Sequence, residues 1–390
     1  MQRSSEQDPI RYLILGGGLA GLSTAFHLAR LGATGVTLIE GNQGFGRAAS
    51  AQNAGILRTV LSEAHLRPLA QASRRFLMDP PPGFSALPLV DPVGLVLTAD
   101  QPAAAAELEA CVAAHDRPIE TLSPAALARR APHVRTRALC AYFAADEGHV
   151  FPERVIDGFA RGAAAAGARL WRGQRVAALL ESAGAVHGVR LADGRELLAE
   201  QVVLALGAWG ARLGGSAGSP LPLTPRRRHV LVGPADARID PRWPVVWNGG
   251  ETFYSKPAEG GLWLCACDQD PVDPGPHGGA PVALSPAELE RIRERAARHL
   301  DARLLQDWWP NGNNRDQRAW AGLRTFGLGE RFRIGPDPSV RGLFWVGALG
   351  GHGLVTSPAV GELAARALLG RCSPGELEGV DPRAELAARC

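Results

Sequence analysis

Residues 10–40 read IRYLILGGGLAGLSTAFHLARLGATGVTLIE, and this stretch decides the fold. A short apolar run, Ile10 to Leu15, leads straight into Gly16-Gly17-Gly18-Leu19-Ala20-Gly21. A helical pattern follows, then a second β-branched run, Val36 to Ile39, that ends on Glu40. The pattern is G-x-G-x-x-G set inside a βαβ unit. Gly16 allows the tight turn, Gly18 lets the backbone approach a pyrophosphate, and Gly21 lets the helix pack on the strand. The helix N-terminus then offers free N–H groups and partial positive charge to phosphates. Glu40 follows Gly21 at about the twenty-residue spacing of an acid that binds ribose hydroxyls. A carboxylate there repels a 2′-phosphate, so the stretch predicts a dinucleotide site that disfavours NADP.

Composition narrows the class. The chain has 390 residues, enough for two or three domains, and a 46% hydrophobic fraction that supplies an ample core. No apolar run approaches the ~18 residues of a membrane-spanning helix. The opening MQRSSEQDP is polar and lacks the apolar core of a signal peptide. A cytoplasmic location is therefore expected, with peripheral membrane contact left open. The net charge of +3 is too small to point to nucleic acid. Lys256 is the only lysine, and the general bias to arginine weakens any reading of Arg226-Arg227-Arg228 as a special cluster. The six cysteines, at 111, 140, 265, 267, 372 and 390, show no CxxC and no paired Cys/His spacing, so no metal site is expected. Cys265 and Cys267 read as buried thiols on one face of a single strand.

Along the chain, Pro80-Pro81-Pro82 marks a break, strands are expected within 88–98 with a turn at Asp91-Pro92, and helices at 102–115 and 124–130. Pro152 suits the first position of a helix through Ala166, with Gly167 as its C-cap. A strand at 169–172, a hairpin turning at Asp193-Gly194 and a buried strand at 202–206 follow. Strand patterns fill 229–232, 244–247, 252–255 and 261–267, and a Pro/Gly loop occupies 271–281. Ser285 is placed to cap a helix through about Leu300, with Glu288 positioned for a capping box. The last strand, 342–346, ends in Gly347-Ala348-Leu349-Gly350-Gly351-His352-Gly353, and a helix runs on through Leu369. The chain thus returns late to a second glycine-rich strand-to-helix junction, as a nucleotide domain built from distant pieces around an inserted domain would.

These pieces together resemble the D-amino-acid oxidase-like family of FAD-dependent oxidoreductases, over nearly the whole chain. The resemblance is carried by GGGLAG at 16–21, Glu40, RAASAQNAG at 47–55, DEGHVFPERV at 146–155, VVLALGAWG at 202–210, WAGLRTF at 320–326 and LFWVGALGGHGLVTSPAVGELAA at 343–365. The pairing of Tyr254-Ser255-Lys256-Pro257 with Trp320-Ala321-Gly322-Leu323-Arg324 is most similar to the branch of D-arginine dehydrogenase and related amino-acid dehydrogenases. The resemblance implies an α/β fold: a discontinuous Rossmann-type FAD-binding domain (9–80, 147–215 and 325–370) with an inserted α+β antiparallel-sheet substrate domain (81–146 and 216–324) and a C-terminal tail (371–390).

It also implies FAD, held non-covalently because no cysteine falls in 320–326, where sarcosine-oxidase relatives attach flavin. Adenosine diphosphate would lie on Gly16, Gly18, Leu19, Ala20 and Gly21, with Glu40 on ribose and Val176 at the adenine end. Ala49, Ser50, Asn53, Ala54 and Gly55 would run beside the isoalloxazine, and Arg47, Gly207 and Trp209 would contact the same cofactor. Gly350, Gly351, His352, Gly353 and Leu354 would aim helix N–H groups at the flavin N1/O2 edge, where negative charge gathers on reduction. The implied chemistry is oxidation of an amino acid or secondary amine to an imine by hydride transfer from the α-carbon to flavin N5. Arg324 is the expected clamp for the substrate carboxylate, since its fork binds both oxygens; Tyr254 and Arg228 are further candidates. His352 is read as a flavin partner or solvent-facing residue rather than a base.

Two departures qualify the resemblance. After Gly55 the chain has Ile56, Leu57, Arg58 and Val60 where the D-arginine dehydrogenase branch has polar aromatic and imidazole groups, so a cationic side-chain pocket lacks support. Arg58 could favour an acidic or neutral substrate, or pair elsewhere. The oxygen-activating lysine of sarcosine-oxidase relatives is replaced by Gly261-Leu262-Trp263, which favours a dehydrogenase over an oxidase. The electron acceptor, whether quinone, carrier protein or O2, stays open. So does the alternative of a flavoprotein without turnover that serves as an assembly subunit.

Overall fold

The computed structural model describes residues 9–135, 137–250, 252–275, 281–309 and 318–384. The first eight residues, part of the loop expected at 271–281, the end of the tail and Cys390 lie outside that range.

Tyr12–Leu15 is apolar at every position and buried at every position, as a strand covered on both faces must be. It is the centre of a six-stranded sheet. Val36–Glu40 and then Arg169–Arg172 flank it on one side; Gln201–Leu204, Leu343–Gly347 and Arg333–Pro336 flank it on the other. All pairings are parallel except that of the Arg333–Pro336 edge strand. Parallel pairing puts the carboxyl ends of five strands on one edge, where Gly16, Glu40, Ala205–Gly207 and Gly347–Gly351 lie. That edge is where open α/β sheets bind ligands. The late strand therefore lies two places from the first, although more than 300 residues separate them in sequence.

Helices Leu19–Arg30, Arg67–Met78, Pro152–Ala165 and Gly353–Leu368 cover one face of this sheet. The first and last pack on each other at Gly361, where a Cβ would collide with Ser23 Oγ. A three-stranded antiparallel meander, Val176–Ser182, Ala185–Leu191 and Glu196–Leu198, covers the other face with Val186, Val189 and Leu191.

A nine-stranded sheet forms the second layer system. Its order is Leu349–Gly350, Ala319–Phe326, Thr224–Val232, Gly261–Cys265, Phe253–Ala258, Val245–Asn248, Leu95–Ala99, Cys140–Ala144 and Glu120–Thr121. Helices Pro286–His299 and Ala302–Trp308 pack on one face through Ile292, Ala296, Leu304 and Trp308. The two sheets meet where Thr325 pairs with Gly350 and Phe326 with Leu349.

Two local expectations are corrected. Ser285 precedes the Pro286–His299 helix, but no side-chain cap forms. The Ser285 N–H, which a capping box would give to Glu288, donates instead to His229 Nε2 at 3.0 Å, and Glu288 pairs with Arg291 at 3.1 Å. The strand expected to reach residue 267 ends at Cys265. Cys267 takes φ +54°, and its amide donates to Cys265 Sγ at 3.2 Å, so the chain turns rather than extends.

Buried histidines make the fold acid-sensitive. His133, stacked on Trp243 with centroids 4.7 Å apart, is brought down from 6.5 to about 4 by burial. Below pH 6.5 the unfolded chain takes up a proton that the folded ring refuses. This contribution is therefore fully present above that pH and is lost toward pH 4, at roughly 1.4 kcal/mol per pH unit. His149, brought to about 3 by burial and then by Lys256, acts in the same direction. Thermal melts should show a midpoint falling from pH 7 to pH 5, and falling less steeply in His133→Gln; equal slopes would contradict the assignment.

Candidate active site

A continuous cavity of about 880 Å³ runs along the carboxyl edge of the six-stranded sheet and under the nine-stranded one. Its size falls within the ~300–1,000 Å³ of small-molecule and cofactor sites. Every residue expected from the sequence to bind cofactor or substrate lines it except Gly21. Gly21 faces the strand instead: a Cβ there would collide with the Gly16 carbonyl, which is the packing role the fingerprint assigns it.

At one end, Gly16 adopts φ +108°, and a Cβ on it would lie 2.5 Å from the Ala205 carbonyl oxygen. Ser50 Oγ accepts the Leu19 N–H at 2.9 Å at the start of the first helix. Glu40 Oε2 accepts from Gly17 N at 2.7 Å, and Oε1 from Asn42 N and Nδ2 at 2.8 and 2.7 Å. The carboxylate is thereby fixed beside the turn, facing a cavity wall that Val176 also lines. Arg47 is exposed near this end.

The middle wall is the segment Ala49–Gly55. Asn53 ties it to itself, donating to Ser50 O at 2.7 Å and accepting from Gly55 N at 2.8 Å. Gly55 takes φ +57°, and a Cβ there would press on the Val150 carbonyl at 2.5 Å. What holds this segment from behind comes from a distant strand. Lys256, only 6% exposed, donates to Ala54 O at 2.5 Å and Gly55 O at 2.9 Å, and its Nζ lies 5.1 Å from the Trp263 ring centre. Burial pulls it down to about 8. Lys256 pairs with Trp263 across the strands, so the lysine missing from 261–263 has a counterpart one strand away, committed to two carbonyls. Opposite, Gly207 takes φ +53°, and Trp209 Nε1 donates to Gly275 O at 3.2 Å.

The second glycine junction closes this wall. No side chain caps the helix that starts at Gly353, so its first N–H groups are available to a ligand. His352 is held neutral, brought down to about 3 by burial and then by Arg58 and Arg324; its Nε2 lies 3.9 Å from Glu63 Oε1.

The far end is built by the nine-stranded sheet. Arg324 packs against Gly351, where any Cβ would collide with its guanidinium. It makes no hydrogen bond or ion pair among the described residues, and burial, then Arg228, brings it down to about 10, so it is cationic at neutral pH. Arg228 donates to Asp268 O at 2.7 Å. The Asp268 carboxylate is taken by His229: Oδ1 accepts the backbone N–H at 2.8 Å, and Oδ2 lies 2.7 Å from Nδ1. Because His229 Nε2 accepts from Ser285, the ring proton is on Nδ1. Tyr254, 3% exposed, stacks on Trp247 with centroids 5.1 Å apart, and burial raises its phenol well above 10, so it remains a hydroxyl donor.

Three wall residues escaped the sequence reading of the site. Trp247 carries no motif. Cys267 read as core; burial pushes its thiol up, but the Cys265 hydrogen bond and Arg228, Arg324 and Arg58 outweigh that and bring it to about 6. Arg58 was noticed but not placed; its guanidinium lies 4.3 Å above the Trp247 ring centre and lines the same cavity.

With this geometry in hand, comparison with known proteins is informative. The profile of the family described as FAD dependent oxidoreductase matches residues 11–367. The bovine (Bos taurus) FAD-dependent oxidoreductase domain-containing protein 1 is 24% identical over 411 residues, covering 92% of this chain and 80% of that protein. Glycine oxidase of Geobacillus kaustophilus (strain HTA426) is 27% identical over 365 residues, covering 90% and 91%. The crystal structure of glycine oxidase from Bacillus cereus ATCC 14579 shares the fold, with a TM-score of 0.77 at 22% identity over 95% of this chain and 98% of that one.

The glycine cradles, the uncapped helix and the carboxylate at Glu40 fit FAD. A Cβ on Gly18 would lie 3.0 Å from Ser50 Oγ and project into the turn. Gly18→Val should therefore yield a folded but colourless protein; a variant that retains the yellow flavin spectrum would contradict the cradle assignment.

Proposed function

The chain belongs to the FAD-dependent oxidoreductase family, and we propose that it oxidises the C–N bond of an amino acid or secondary amine to an imine. The observation that carries this reading is Arg324: a half-buried guanidinium with no partner among the described residues, packed on the glycine turn that opens the last helix. Bound FAD supplies the two-electron acceptor that takes the hydride from the substrate α-carbon. The residues 9–80, 147–215 and 325–370 hold the cofactor on this reading, and 81–146 and 216–324 hold the substrate.

Arg324 binds the substrate carboxylate through both oxygens, a geometry that lysine does not match. Tyr254, kept neutral by burial, donates its hydroxyl to the same group, and Arg228 adds charge behind it. Cations around a buried amine disfavour its ammonium form, so the substrate nitrogen gives its proton to water and presents a lone pair without a strong protein base. As the hydride leaves, that lone pair becomes the C=N bond. Water then adds to the imine and releases an oxo acid with ammonia or an amine. His352, neutral down to about pH 3, hydrogen-bonds rather than abstracts.

Anaerobic mixing of the holoenzyme with D- and L-amino acids, glycine, sarcosine and proline should bleach the oxidised flavin band for at least one compound; a band unchanged by the whole panel, as for an assembly subunit without turnover, would overturn this reading. Arg324→Ala should keep FAD and lose about 10–150-fold in kcat/KM, the equivalent of ~1.5–3 kcal/mol for a charge-assisted bond. An unchanged kcat/KM would remove Arg324 from the site.

A further inference from the structure

We propose that the substrate is a dicarboxylic amine, and that Arg58 binds the second carboxylate. The proposal rests on the amine-oxidation reading and concerns the side-chain end of the same cavity.

Arg58, Arg228 and Arg324 all line that cavity. Among the described residues, no carboxylate lies within 4.0 Å of any of the three guanidiniums. Arg58 touches the Val60 carbonyl at 3.4 Å and the Trp247 ring; Arg228 uses a carbonyl; Arg324 uses nothing. Nearby acids make other contacts, and of them Glu63 also acts on Arg58. Glu63 faces His352 at 3.9 Å and Ser62 Oγ at 3.1 Å. Glu147 is fully buried outside the cavity wall, where it accepts the Thr59 N–H at 2.8 Å. Glu330 pairs with Arg226 at 2.7 Å, and Glu40 is at the opposite end beside Gly17. Three guanidiniums with no carboxylate in contact line one cavity and offer their N–H groups to an anion, with Cys267 and Glu63 the acidic groups beside them.

One carboxylate does not satisfy this site. A single α-carboxylate is filled by the Arg324 fork and the Tyr254 hydroxyl, with Arg228 behind. Arg58 comes from a different element, immediately after the short strand Ile56–Leu57, and lies flat on Trp247, whose other neighbour is Tyr254. Stacking on an aromatic ring fixes the guanidinium plane while leaving its N–H edge for a ligand. All three cations act on the Cys267 thiol, and Arg58 and Arg324 both act on His352, so they share one volume.

The test compares isosteric acids and amides on the holoenzyme. Anaerobic flavin reduction is followed with glutamate against glutamine and aspartate against asparagine, each as both enantiomers, and with iminodiacetate against sarcosine. The acid of at least one pair should be favoured by roughly ten-fold or more in the second-order rate constant. Arg58→Gln should bring that ratio near one, and Arg58→Lys should restore part of it. A wild-type ratio near one in every pair, or a ratio that survives Arg58→Gln, would overturn the proposal. If no compound reduces the flavin, the amine-oxidation reading fails separately. The Arg58 claim is then decided by perturbation of the oxidised flavin spectrum with succinate and glutarate against propionate and butyrate. Tighter binding of the dicarboxylates, lost in Arg58→Gln, supports it; equal dissociation constants overturn it.

Discussion

Everything in the site depends on a two-residue backbone pairing. Thr325 and Phe326 pair with Gly350 and Leu349, and this ladder joins the strand that carries Arg324 to the glycine turn that ends the central sheet. Parallel order in that sheet brings both glycine junctions to one edge. The pairing then fixes how far the Arg324 guanidinium stands from that edge. Gly351 makes the distance short, because no side chain fits between the turn and Arg324. On the proposed reading, main chain rather than a flexible contact sets a cofactor on that edge against a substrate clamped by the nine-stranded sheet.

The electrostatics follow from the same arrangement. Strand pairing brings Arg228 and Arg324 from neighbouring strands to one cavity wall, where burial and mutual repulsion lower Arg324 to about 10. The wall responds: His352 is kept neutral, and Cys267 falls to about 6 despite its burial. On the proposed reading, this positive charge favours an anionic substrate group and disfavours the ammonium form of its nitrogen, so one feature would serve both binding and proton removal. Lys256 stays out of this balance because its ammonium is committed to the Ala54 and Gly55 carbonyls.

Much of this was legible in the chain because its signals are local. A glycine turn between an apolar run and a helical pattern, Pro152 at a helix start, or a strand at 169–172 needs only a few neighbouring residues, and the structure places helix Pro152–Ala165 and strand Arg169–Arg172 there. What stayed hidden depends on partners distant in sequence. Ser285 and Glu288 have the spacing of a capping box, yet the box is absent because His229, on another strand, accepts the Ser285 N–H. Cys267 read as a strand residue, but the chain turns there and turns the thiol toward the arginines. Arg58, Trp247 and Arg324 come from three separate elements, and no spacing rule links them. Lys256 stood out as the only lysine, but its role appears only when the segment 54–55 folds against it.

The central claim is that Arg324 receives a substrate carboxylate beside the flavin. Titration of the oxidised holoenzyme with acetate, which has no oxidisable amine, measures this most directly through the flavin's visible absorption. The account expects a saturable spectral shift in the wild-type protein, weakened at least ten-fold in Arg324→Ala at equal flavin content. The same shift with the same dissociation constant in both proteins would contradict it.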